Sequence, residues 1–339
     1  MKQFFLYLLL FFVGNSLYSQ EKIRSLADLK GKDLKVGLVL SGGGAKGLAH
    51  IAALEAIEQA GVKIDYIGGT SMGAIIGGLY AAGYTSHQLD SIFHSVDFER
   101  IIQDNVPRSA QNFYEKENRD RYMISLALRN GKFGLPAGLS QGVNLYNFLS
   151  QLTFGVRKID DFSKLPIPFL CIATDVETGE EVILEHGDLA QAMMASGSFP
   201  TLFAPVEMEG RFLTDGGVMN NYPIDEVRAK GMDIIIGVDV QSPLKTRKDL
   251  RSANSVLLQI TSYKIANDMK EKREKTDIYI HPDMSNYNVI SFAEGQAIID
   301  SGRVATKKVF PHLQWLGDFL KKEEKPLPKI KVHDSLHIG

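Results

Sequence analysis

One arrangement, used twice in the first third of the chain, constrains the fold most: an apolar run, then glycines, then a helical pattern. LKVGLVL (34–40) runs into Gly42-Gly43-Gly44, and AKGLAHIAALEAIEQA (45–60) follows, its apolar residues recurring at helical spacing up to Gly61. VKIDYIG (62–68) runs into Gly69, and SMGAIIGGLYAAG (71–83) follows, closed by Gly83. The first run has no alternating polar face, so it suits a strand buried on both sides. Strand–helix–strand–helix order gives parallel strands with helices over both faces. The expected class is α/β, a three-layer sandwich with a mostly parallel central sheet.

Further strands are expected at 167–176, 179–187, 211–216, 233–240 and 277–282. Helices are expected at 188–199, which stops at Pro200, at 255–276, and through GRVATKKVFPHLQWLGDFLKK (302–322), where Pro311 is expected to introduce a kink. Residues 101–160 read as irregular. No internal repeat or low-complexity segment is visible.

The 339 residues are 44% hydrophobic and 23% charged, and the net charge of −2 gives no footing for nucleic acid. No Cys/His spacing suits zinc and no HExxH occurs, so neither metal nor cofactor is expected. The start, MKQFFLYLLLFFVGNSLYSQ, has a basic Lys2, an apolar run from Phe4 to Val13, and small residues at Gly14, Ser16 and Ser19. It reads as a signal peptide over 1–19; a membrane anchor is the weaker alternative, because a span needs about 20 apolar residues. Cleavage after Ser19 removes one positive charge, Lys2, and leaves −3. Export to the periplasm, outer membrane or cell surface follows. Cys171, the sole cysteine, lies in the apolar run PFLCIATD and is expected in the core. The expected organisation is a leader at 1–19, an N-terminal segment at 20–33, a catalytic domain at 34–322, and 323–339. That last stretch reads equally as a tail or as a linker opening a further domain.

The residues IGGTSMGAII (67–76) place Gly69 and Gly73 two positions either side of Ser71. G-x-S-x-G between a strand and a helix is the nucleophile-elbow context, a turn so tight that flanking side chains collide. Ser71 is expected at the sheet's C-terminal edge, over a helix N-terminus that favours negative charge. Gly42, Gly43 and Gly44 bare backbone N–H groups toward an anion. A phosphate reading is weak: Gly42, Gly44 and Gly47 fit G-x-G-x-x-G, but Asp65 falls inside the second strand instead of near its end. The oxyanion of a tetrahedral intermediate suits the loop better. Ser71 needs a base, and Asp175, Asp215 and Asp239 all end apolar strands. Residue chemistry alone does not choose among them.

GGGAKG, then GTSMG, then DGG (215–217), in that order, together with GDLAQAMMASGSFPTLFAPV (187–206), resemble the patatin-like phospholipases. The resemblance spans roughly residues 34–310. It implies a dyad with Ser71 as nucleophile and Asp215 as base, an oxyanion hole at Gly42, Gly43 and Gly44, and supporting roles for Lys46, Gly69, Gly73 and Gly216. It implies lipid acyl hydrolysis through an acyl-enzyme, with a phospholipid or other acyl ester as substrate and a membrane surface as partner; a homodimer is compatible. Ser41 stands where plant members often have Asp. Some bacterial surface relatives carry a periplasmic domain and an outer-membrane barrel after this domain, and the end at 325–339 resembles the start of such an arrangement. The rival readings are an α/β-hydrolase triad of Ser71, Asp215 and His281, in that family's chain order, and an inactive lipid- or nucleotide-binding module.

Other positions have ordinary readings. His50 is expected as a satisfied core histidine, Asn220 and Asn221 as hydrogen-bonding loop backbone, with support of Asp215 as the lesser alternative, and 270–276 as a solvated helix face. Residues 112–160 mix Phe113, Tyr114, Tyr122, Phe133 and Tyr146 with Arg119, Arg121, Arg129 and Lys132. They suit either a cover over the core or a surface resting on anionic lipid and gating acyl-chain entry.

Overall fold

The structure is a computed structural model and describes residues 34–102, 127–129, 132–134, 138–247, 250 and 253–321. The expected leader, residues 20–33, the stretch 323–339, and Phe113, Tyr114, Arg119, Arg121 and Tyr122 lie outside the described residues.

The strands are β1 (Val36–Leu40), β2 (Tyr66–Thr70), β3 (Ala127–Arg129), β4 (Lys132–Gly134), β5 (Gly138–Ser140), β6 (Phe169–Asp175), β7 (Glu181–Leu184), β8 (Thr201–Phe203), β9 (Val206–Met208), β10 (Arg211–Asp215), β11 (Ile234–Val238) and β12 (Ile278–Ile280). The helices are α1 (Ala49–Gln59), α2 (Met72–Ala81), α3 (Ser86–Ser95), α4 (Phe98–Ile102), α5 (Val143–Leu152), α6 (Leu189–Ser196), α7 (Ile224–Ala229), α8 (Ala253–Lys275) and α9 (Gly295–Leu320). The main sheet has eight strands in the order β12-β11-β1-β2-β6-β10-β9, with β7 also on β6. From β12 to β6 every pairing is parallel; β7, β10 and β9 are antiparallel.

Helices cover both faces of this sheet. Ile67 and Gly68 are neighbours in β2, so they face opposite ways. A side chain at Gly68 would meet Val227 of α7, whereas Ile67 lies against Gly77 of α2. On the α7 side, Val39, Tyr66, Leu170, Ile172 and Ile235 pack with Tyr222, Ile224, Val227 and Met232 into one buried cluster. β1 is wholly buried, as its unbroken apolar sequence requires. Along the far side, α9 packs on α1 closely enough that a Cβ at Gly302 would stand 2.8 Å from the Ala49 carbonyl oxygen. Pro311 sits inside α9 without ending it.

Among the described residues of 101–160, read from sequence as irregular, α5 and β5 form, and β5 pairs in parallel with β8. The first helix also starts differently, with a tight 3-10 turn over Gly44–Leu48 before α1 begins.

Candidate active site

Strand β6 brings the site together. Ile172 pairs with Ile183 of β7 on one edge and Thr70 of β2 on the other. One residue on, Ala173 pairs with Val182 of β7 and Asp215 of β10. β2 and β10 therefore share one edge of β6, end to end, with β2 stopping at Thr70 and β10 stopping at Asp215. Each strand's next step is a tight turn, and the two turns face each other across a gap of one residue in register.

Ser71 is the first residue beyond β2. Its φ of 55° and ψ of −124° are those of a strained elbow, and Ser71 is one of two non-glycine residues with positive φ among those described. Its surroundings hold it there. Its N–H donates to Ser196 Oγ at 2.9 Å, and that hydroxyl donates to the Ile172 carbonyl at 2.5 Å. The flanking glycines are demanded by space. A Cβ at Gly69 would lie 2.6 Å from the Gly73 carbonyl carbon, and one at Gly73 would lie 2.6 Å from the Ser41 carbonyl oxygen.

Ser71 Oγ donates to Asp215 Oδ2 at 2.5 Å. The other carboxylate oxygen, Oδ1, accepts the Gly217 N–H at 2.7 Å. Thr174 Oγ1 donates to the Asp215 carbonyl at 3.0 Å, fixing the backbone beneath. Gly216 keeps this turn against β6, where a Cβ would stand 2.5 Å from the Ile172 carbonyl carbon. Burial pushes the Asp215 carboxyl up to about 6, while the bonds from Ser71 and Gly217 pull it back down. At neutral pH the group is an ionised carboxylate with a far stronger appetite for a proton than an exposed aspartate has. The other two candidate carboxylates are used elsewhere. Asp175 Oδ1 accepts the Glu177 N–H, and Asp239 accepts the Gln241 N–H and the Tyr279 hydroxyl.

The three glycines divide their work. The Gly42 N–H donates to the Asn221 carbonyl at 3.2 Å, so it is engaged in holding the loop. The N–H groups of Gly43 and Gly44 have no acceptor among the described residues. Gly44 has φ 56°, and a Cβ there would overlap the Val289 carbonyl. Asn221, read from sequence as bonding loop backbone with support of Asp215 as the lesser alternative, spans both halves of the site. Its Nδ2 donates to the Gly42 carbonyl at 3.4 Å, and its Oδ1 lies 2.6 Å from where a Gly217 side chain would begin. Gln241 Nε2 donates to the same Gly42 carbonyl.

Lys46 is not brought to Ser71 or Asp215. It is buried, its ammonium donates to Ser242 Oγ at 3.3 Å, and burial lowers its pKa to about 8 despite the opposing pull of Asp239. His50 is only half satisfied: Nε2 donates to the Ser41 carbonyl at 2.8 Å, while Nδ1 is buried without a partner among the described residues. Burial holds it neutral, near 4. Asp65 is occupied by the Val36 N–H and by Lys63.

His281 follows β12, three strand spacings from β2, a separation of about 14 Å. Its Nδ1 donates to the Asp239 carbonyl at 2.8 Å. A Ser71–Asp215–His281 triad is therefore not assembled. Replacing His281 with alanine is expected to leave ester turnover unchanged, measured on a soluble ester; complete loss would restore the triad.

An apolar cavity opens beside Ser71. Ser71 carries the only polar side chain among the described residues that line it. Met72 and Ile75 of α2, Phe148 of α5 and Phe199 form part of the wall. Another part is a run of rings: Phe93 stacks on Phe98 at 5.9 Å, and Phe98 on Phe292 at 4.2 Å. Sequence reading missed these rings because they come from three separate segments with no shared motif.

Residues 38–228 match the family model of the patatin-like phospholipases, more than half of the chain. The chain belongs to that family. Among curated proteins, this patatin-like chain is 28% identical to lysophospholipase NTE1 of Candida glabrata over 292 residues, 79% of the chain and 15% of that protein. It is 27% identical to lysophospholipase NTE1 of Saccharomyces cerevisiae, over 79% of the chain and 16% of that protein. A patatin-like phospholipase domain-containing protein of Caenorhabditis elegans is 32% identical over 61% of the chain and 14% of its own length. The chain thus spans less than a quarter of each of these relatives. Among solved structures, VipD from Legionella pneumophila superposes with a TM-score of 0.47 at 14% identity, covering 82% of this chain and 67% of that one.

Proposed function

We propose that this chain hydrolyses fatty-acyl esters of lipids through Ser71 and Asp215. One observation carries the reading: the 2.5 Å bond from Ser71 Oγ to a buried carboxylate, at the wall of an apolar cavity. Family membership and the lysophospholipases among the relatives support a lipid acyl hydrolase. Asp215 takes the Ser71 proton as Oγ attacks the ester carbonyl carbon. Negative charge develops on the carbonyl oxygen, and the N–H groups of Gly43 and Gly44, without an acceptor among the described residues, and the N-terminus of α2 receive it. The intermediate collapses, the alcohol leaves with the proton from Asp215, and an acyl-serine remains. A water then gives its proton to Asp215 and attacks the acyl carbon. The fatty acid departs and Ser71 recovers its proton. No step uses a metal, so a chelator is expected to leave the rate unchanged.

The cavity suits the acyl chain, and its aromatic wall sets how long a chain fits. The leader-like residues 1–19 support export to the periplasm, outer membrane or cell surface, and the lipid substrate supports work at a membrane surface. The test is fatty-acid release from lysophosphatidylcholine and from soluble esters of increasing acyl length. Turnover is expected to rise from acetyl toward longer chains, and Phe98→Ala is expected to move the preferred length upward. A folded protein that releases acid from none of these esters would end the reading.

A further inference from the structure

Helix α8 exposes three large apolar side chains at helical spacing: Val256 (43%), Ile260 (55%) and Tyr263 (48%). A fourth, Leu244, is 41% exposed. Gln259 ties the Leu244 segment to the helix. Its buried amide accepts the Lys245 N–H at 3.0 Å and donates to the Lys245 carbonyl at 3.1 Å. Gln259 stands one turn from both Val256 and Tyr263, so these bonds hold residue 244 beside the same face. Soluble proteins leave such contiguous apolar surface for a partner.

The border of this face is basic. Lys245 and Arg247 are exposed and make no ion pair among the described residues. Lys264, at the other end, is already matched by Asp268 at 2.5 Å. The face also adjoins the site. Gln241, which donates to the Gly42 carbonyl, is three residues before Leu244, at the sheet edge where β11 ends next to β1.

We propose that Leu244, Val256, Ile260 and Tyr263, with Lys245 and Arg247 at their border, dock on an anionic lipid surface. The inference rests on the lipid-hydrolase reading for its purpose, and on its own geometry for its place. Apolar side chains enter the boundary between headgroups and acyl chains, and the two cations meet lipid phosphates. A second copy of the chain fits less well, because a twofold contact sets each copy's Lys245 and Arg247 against the other's.

The test uses the full chain with sedimentable vesicles of phosphatidylcholine alone or of equimolar phosphatidylcholine and phosphatidylglycerol. Wild type is expected to favour the anionic vesicles. A double variant, Lys245→Glu with Arg247→Glu, is expected to lose that binding by about tenfold or more, since each basic residue near such a surface contributes appreciably. Ile260→Asp is expected to weaken binding to both vesicle types. Hydrolysis of a soluble short-chain ester stays at the wild-type rate in all variants, and hydrolysis of vesicle lipid falls with binding. Equal binding by wild type and the charge variant overturns the proposal. So does a wild-type dimer that Ile260→Asp dissociates while vesicle binding persists, which assigns the face to a second copy. A wild type that sediments with vesicles yet hydrolyses no soluble ester separates failure of the activity from failure of the docking.

Discussion

Asp215→Asn is expected to lower kcat/KM by about 10⁴-fold or more, equivalent to roughly 5.5 kcal/mol of transition-state stabilisation. The substitution keeps shape and an acceptor for the Gly217 N–H, so the turn survives. What it removes is the group, among the described residues, that is bonded to Ser71 Oγ and can take its proton. Ser71→Ala is expected to cost as much, and the double variant no more than either alone, because nucleophile and base act as one unit. Steady-state kinetics on a soluble ester reads all three. Retention of more than a few per cent of activity in Asp215→Asn would remove the dyad.

The same carboxylate makes two pH predictions. Its folded-state value of about 6 lies above the unfolded value near 3.9. kcat/KM should therefore rise through about pH 6 and level off at neutral pH. For folding, the native state holds this proton more tightly than the unfolded chain, so the group's contribution is full below about pH 4 and is lost as pH rises through 6. Above that window the buried charge costs the fold on the order of 3 kcal/mol at most. Asp215→Asn should therefore melt higher than wild type at pH 7 and gain nothing at pH 4. A variant that is inactive and more stable is the mark of strain kept for function.

Much of this was legible because the informative residues are local. The parallel core strands are apolar throughout, the glycines flank their serine within five residues, and α1 and α2 close at glycines. Helix α3 was missed although its signal was present: Thr85 and Gln88 form a capping box in which Gln88 N–H donates to Thr85 Oγ1 at 3.2 Å. Helix α5 offered no such sign, since it starts after Gly142 without a side-chain cap. The choice of Asp215 over Asp175 and Asp239 was not readable from residue chemistry, because it depends on β2 and β10 sharing one edge of β6, a pairing 144 residues apart at the dyad. Only the ordered family motifs pointed there. The engaged N–H of Gly42 and the inward turn of Lys46 toward Ser242 have the same origin. The first is decided by Asn221, which follows the Asp215 turn, and the second by the residues after β11, which lie alongside the glycine loop.

Gly73→Ala is expected to be among the most damaging single-methyl changes in the site, costing roughly 3 kcal/mol or more and most of the activity. The added carbon would overlap the Leu40 carbonyl oxygen and lie 2.6 Å from that of Ser41. Both are backbone atoms at the end of a fully buried strand, and neither can rotate aside. Relief requires α2 to lift off β1, which carries Ser71 away from Asp215 and opens the turn before the glycine loop. Gly216→Ala should act alike, because its methyl meets the Ile172 backbone. Gly179 is the control. Its φ of 73° makes alanine cost about 1 kcal/mol, but a Cβ there meets nothing within 4 Å and the turn is remote from the dyad. Thermal melts with ester turnover separate the cases. Gly179→Ala should melt slightly lower at full activity, whereas Gly73→Ala and Gly216→Ala should lose both. A Gly73→Ala protein with wild-type kinetics would mean that the elbow tolerates a side chain, and the packing account of why glycines flank Ser71 would be wrong.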